Sequence, residues 1–95
     1  MQKDYVITVF TMTHCPACVS LKRWFKANDI PFIEKDIVTN EEYEKEFLEH
    51  KLKYTPTTFI KTDDEEHQIV GASYKKIEKI LSTESTARVN EVENI

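Results

Sequence analysis

The chain has 95 residues, 17 acidic and 13 basic, giving a net charge of −4, and 40% of it is hydrophobic. That length supports a single core, and the composition is globular rather than disordered. The acidic balance argues against a general nucleic-acid binder, and no apolar run approaches the roughly 20 residues of a membrane-spanning helix.

The N-terminus, Met-Gln-Lys-Asp-Tyr, enters a strand-like segment without the apolar stretch and small-residue cleavage site of a signal peptide, so a cytoplasmic location is expected. Tyr5 to Phe10 is rich in β-branched and aromatic residues and reads as a central strand. Thr11 to His14 break that run, and Pro16 stands where a helix accepts proline, at its first position, where the missing N–H would have no partner anyway. Cys18, Leu21 and Phe25 follow at helical spacing with Trp24 beside them as core, while Lys22, Arg23 and Lys26 take the wet side as far as Asn28. Pro31 opens a second strand, Phe32 to Ile37. Thr39 and Glu42 have capping-box spacing, which predicts a second helix with Tyr43, Phe47 and Leu48 on its inner side.

Tyr54-Thr55-Pro56 interrupts the chain, and Thr57 to Ile60 reads as a third strand. Thr62 to Glu66 is a charged, solvated turn, and Gln68 to Val70 a short fourth strand closed by Gly71, the only glycine. Ser73 is placed to cap a last helix with Ile77, Ile80 and Leu81 inside. Tyr54 and Tyr74 are expected to pack. The order β-α-β-α-β-β-α implies an α/β domain, residues 1–82, with a four-stranded mixed sheet covered by helices on both faces; 83–95 reads as a polar tail that frays.

Two cysteines in a chain this small are too few for a secreted disulfide scaffold, and their spacing, Cys15-Pro16-Ala17-Cys18, points to redox or metal chemistry. Cys15 falls at the strand-to-helix junction, where free backbone N–H groups and the helix dipole favour an anion, so its thiol is expected to ionise easily. Cys18 lies one turn deeper on the same helical face. Cys15 is therefore the expected nucleophile and Cys18 the resolving thiol. A structural zinc site would need a second ligand pair, which His14, His50 and His67 do not supply by spacing. His14 reads as an exposed loop residue, with a supporting role in lowering the neighbouring thiol pKa as the other reading. Pro56, directly before a strand, reads on the residues alone as an ordinary trans turn proline.

Cys15-Pro16-Ala17-Cys18 after the first strand, Thr55-Pro56-Thr57 before the third and Val70-Gly71 closing the fourth together resemble a glutaredoxin, or a glutaredoxin-like redoxin of the kind that serves ribonucleotide reductase, in the thioredoxin superfamily. The resemblance implies that Pro56 is cis and faces the cysteines, and that Thr55 and Gly71 border the bound substrate. It implies a thiol–disulfide oxidoreductase, monomeric, acting on disulfide-containing proteins, ribonucleotide reductase among them. Glutathione or a thioredoxin-type reductase would supply electrons, with glutathione a co-substrate and no tightly bound cofactor. Three positions depart from the family's habit: Ala17 where tyrosine is common, Met12 where a lysine often contacts glutathione, and Gly71-Ala72-Ser73 where a second glycine and an acidic residue are usual. The alternative implied by the resemblance is an iron–sulfur module in which Cys15 thiolates of two chains share a cluster.

Overall fold

A computed structural model describes residues 5–62 and 65–81. The expected tail, 83–95, and Asp63 and Asp64 of the charged turn lie outside the described residues.

The strands are β1 (Val6–Thr11), β2 (Ile33–Asp36), β3 (Thr57–Lys61) and β4 (Glu66–Val70). They form one sheet in the order β2-β1-β3-β4, with β1 parallel to β2 and antiparallel to β3, and β3 antiparallel to β4. Helix α1 (Pro16–Ala27) makes the crossover from β1 to β2, and α2 (Glu41–Glu49) follows β2. A third helix, α3, occupies 74–81. The mixed sheet and element order expected from the sequence are those observed.

Alternation along the strands divides the core between two faces. On one, Ile7, Val9, Ile60 and Ile69 meet Leu21 and Phe25 of α1 and Ile77 of α3. On the other, Phe10 meets Phe47 of α2 and Leu52. Phe10 lies 5.9 Å from the rings of both Phe47 and Phe59, the second edge-on. Burying each of these large side chains contributes about 1.5–3 kcal/mol. Lys35 lies over the rings of Phe10 and Tyr43 at 5.7 and 5.6 Å, its ammonium held by Glu46 at 2.8 Å.

Several expectations are corrected in detail. Asn40, not Thr39, caps α2: its side-chain oxygen accepts from the N–H groups of Glu42 and Tyr43 at 2.9 and 3.2 Å. Thr39 instead gives its N–H to Asp36 at 3.3 Å, within the turn that leaves β2. Leu48 is 63% exposed. Phe47 fills the space against Phe10, which turns the next residue about 100° round the helix into solvent. The inward leucine is Leu52, which follows a left-handed Lys51 and returns its N–H to Phe47 O at 3.1 Å. Trp24 is half-buried rather than core, stacked 5.3 Å from Tyr74. Strand β4 begins at Glu66, two residues before its expected start at Gln68.

Replacing a capping asparagine with alanine costs about 1 kcal/mol. Asn40→Ala is therefore expected to lower denaturant stability by about that amount, whereas Thr39→Ala leaves it within experimental scatter. Equal losses from both variants would contradict the observed cap.

Candidate active site

Cys15 is the residue at which β1's connection becomes helix. It is the N-cap of α1, with an extended backbone, and Pro16 occupies the first helical position. Its sulfur takes the place of a capping oxygen and accepts the N–H of Cys18 at 3.2 Å. The preceding loop, 12–14, is exposed, and His14 holds a left-handed backbone with φ of +63°. Cys15 is partly exposed, whereas Cys18 is buried; both are free thiols.

Forty residues further on, the Thr55–Pro56 bond is cis. Thr55 approaches the Cys15 sulfur twice, its hydroxyl at 3.8 Å and its carbonyl oxygen at 3.9 Å. The first contact offers a donor to a thiolate, and the second accepts from a thiol. Thr57 Oγ1 donates to Tyr54 O at 2.6 Å, and Gly71 N–H donates to Pro56 O at 2.7 Å, so the loop is tied at both ends. Gly71 has φ of +83°, and a methyl group built on it would meet nothing within 4 Å. Backbone conformation, not space, is what calls for glycine there. Of the residues expected at the site, Cys15, Cys18, Pro16, Thr55, Pro56 and Gly71 are thus brought together in one region. His14 adjoins Cys15 in sequence, but the hydrogen bonds that favour the Cys15 thiolate come from other groups.

The two thiols are driven in opposite directions. Burial works against charge on Cys15, but hydrogen bonds from the Cys18 thiol and N–H, the Thr55 hydroxyl and the Ala17 N–H outweigh it, and hold Cys15 below the ordinary thiol value. Burial pushes Cys18 up to about 11, assisted by its hydrogen bond to Cys15 and by repulsion from that sulfur's charge. Cys15 therefore contributes stability above the unfolded thiol's value that is lost as pH falls through its folded value. Cys18 contributes stability at lower pH that is lost as pH rises from the unfolded thiol's value through about 11.

Three large apolar side chains next in sequence to the segments that carry the site are exposed. Met12 is 42%, Tyr54 67% and Val70 49% exposed. The expectation that Tyr54 packs is corrected, because Thr57 holds its carbonyl inward while the ring faces solvent. Sequence reading also missed Thr11, Thr13, Glu34 and Asp36. Thr13 Oγ1 donates to Asp36 Oδ2 at 3.2 Å, and Thr11 Oγ1 to Glu34 Oε2 at 2.7 Å. The alternate spacing of Thr11 and Thr13, and of Glu34 and Asp36, is visible in the sequence, but the register that pairs them is not. Among the described residues, no group of three or more His, Cys, Asp or Glu side chains is arranged to hold a metal ion.

The glutaredoxin family model matches residues 7–65. Among solved structures, the thioredoxin-like protein BC3987 is similar at 26% identity and a TM-score of 0.67, over 79% of this chain and 99% of that one. Thioredoxin from Fasciola hepatica shares 18% identity with a TM-score of 0.68, over 88% of this chain and 84% of its own. The Schistosoma mansoni thioredoxin pre-protein shares 24% identity with a TM-score of 0.68, over 87% and 80%. The latter two likenesses are of fold. No curated protein sequence matches the chain.

In the reduced protein, alkylation of Cys15 is expected to have its pH midpoint below that of a free thiol, with Cys18 unreactive until pH nears about 11. Thr55→Val, which removes one donor to the thiolate, raises the Cys15 midpoint. A midpoint unmoved by that change would remove Thr55 from the account.

Proposed function

The chain belongs to the glutaredoxin family, and on that premise we propose that it reduces protein or mixed disulfides through Cys15 and Cys18. Redox chemistry on thiols and disulfides comes with the family; the division of labour between the two sulfurs is our reading. The observation that carries it is the Cys15 sulfur itself, partly exposed, 3.2 Å from the Cys18 N–H and within 3.9 Å of Thr55.

In this reaction the Cys15 thiolate attacks one sulfur of a substrate disulfide. A new S–S bond forms, the old one breaks, and the departing thiolate takes a proton from solvent. Thr55 and Gly71 border the bound segment, as the family resemblance implies. While Cys15 is charged, Cys18 stays protonated and does not compete. Once Cys15 is bound in the mixed disulfide, its charge and its acceptor are gone, and two of the influences that hold Cys18 up vanish with them. Cys18 then loses its proton more readily, attacks Cys15 and releases the second substrate thiolate. The substrate gains two electrons, and the chain is left with a Cys15–Cys18 disulfide.

A donor must return those electrons: glutathione, or a reductase of the thioredoxin type. Exposed Met12, Tyr54 and Val70 favour an apolar polypeptide segment over a small tripeptide bearing two carboxylates. We therefore assign weak use of glutathione and a protein disulfide as the preferred substrate, in a reducing compartment such as the cytoplasm.

Cys15→Ser is expected to abolish turnover of a mixed-disulfide substrate, and Cys18→Ser to accumulate the mixed disulfide, visible by mass spectrometry. Undiminished turnover by Cys15→Ser would refute the proposal. NADPH-coupled assays with glutathione and glutathione reductase, run beside thioredoxin reductase, identify the donor. The faster rate is expected with thioredoxin reductase.

A further inference from the structure

Strand β2 is an edge strand that supplies neither cysteine nor any part of the Thr55–Pro56 loop, yet two of its side chains reach the segment that presents Cys15. Its register sets Glu34 beside Val9 and Asp36 beside Thr11. A single oxygen of Glu34, Oε2, accepts from Thr11 Oγ1 at 2.7 Å and from Lys22 Nζ at 2.8 Å. Thr11 is fully buried and is the last residue of β1. Lys22 stands four residues after Cys18, one turn further along α1, and is partly exposed where Cys18 is buried. One carboxylate thus joins the strand that feeds the cysteine loop to the helix that receives it.

The loop between them is otherwise tied by the Met12 backbone, which hydrogen-bonds to Cys18. Residues 12–14 are exposed, and His14 adopts a left-handed backbone. A short exposed segment with few apolar contacts takes its position from its ends. Asp36 adds a second tie through Thr13 at 3.2 Å. The Cys15 contacts to Thr55, at 3.8 and 3.9 Å, are long, so a small displacement of the loop would forfeit them.

We propose that Glu34 is a positioning residue for the dithiol, its carboxylate bridging Thr11 and Lys22 so that loop 12–14 delivers the Cys15 sulfur to the Cys18 N–H and to Thr55. This rests on the reading of Cys15 as the nucleophile. Charge alone would act in the opposite direction. Removing a negative group favours a thiolate. Loss of the bridge disfavours it.

The two effects separate in the pH profile of iodoacetamide alkylation of the reduced protein, measured for Glu34→Ala and Glu34→Gln. Glu34→Ala is expected to slow Cys15 alkylation, below its midpoint, by about three- to tenfold, equivalent to a midpoint raised by about half a unit to one unit. Glu34→Gln keeps an acceptor oxygen in place and is expected to stay within about twofold of the parent, a small change on the same scale. Faster alkylation in both variants would overturn the proposal in favour of a bare charge effect. A lowered thermal midpoint with both pH profiles unchanged would overturn it in favour of a purely structural role. Cys15→Ser, made with Glu34 intact, is the separate control: a fast-reacting thiol surviving there would refute the nucleophile assignment itself.

Discussion

A sulfur atom at the start of a helix organises this molecule. Cys15 occupies the position where a helix ordinarily has a serine, threonine or asparagine, and its sulfur accepts the N–H that such a side chain would take. The N–H groups of the first turn have no partners within the helix, so an anion there satisfies a need the backbone already has. Pro16, next in line, removes one donor and fixes the first helical turn. The thiolate is favoured in spite of partial burial because several donors converge on it, and none of them is a formal cation.

That convergence depends on the sheet. β1 delivers Cys15 at its C-terminal end, and β3, running antiparallel beside it, begins at the same end with the Thr55–Pro56 loop behind it. Phe10 opposite Thr57 fixes how far the two ends overlap. Both faces of the sheet are packed, so a slip of one residue would turn a strand's side chains into the wrong layer of the core. Gly71 N–H on Pro56 O extends the arrangement to β4, while the carboxylates of β2 brace the other side of the cysteine loop. Residues from every strand or its flanking turn therefore support the segments that present one partly exposed sulfur.

The two thiols differ because of depth. One turn of helix carries Cys18 from the rim into the protein, where it is 1% exposed and strongly disfavours charge. The same hydrogen bond that supports a Cys15 thiolate holds the proton on Cys18. The two thiols are thus set apart in acidity before any substrate arrives, which is the order of attack the proposed mechanism requires.

The sequence by itself determined what local spacing can express. Pro16 after Cys15 announced the start of α1, and Cys18, Leu21 and Phe25 announced its inner face, because a helix repeats every 3.6 residues whatever surrounds it. The strand runs and the element order were legible for the same reason. Resemblance to a family supplied the cis state of the bond before Pro56, which the residues alone would have left as an ordinary trans turn. Choices between neighbours were decided by the tertiary structure. Asn40 rather than Thr39 caps α2 because Asp36 claims the Thr39 N–H. Leu52 rather than Leu48 turns inward because Phe47 already fills the space over Phe10. The bonds from Thr11 to Glu34 and from Cys15 to Thr55 join residues 23 and 40 positions apart. They exist only once strand register is set, and register is chosen by packing both faces of the sheet at once, which no local stretch of sequence contains.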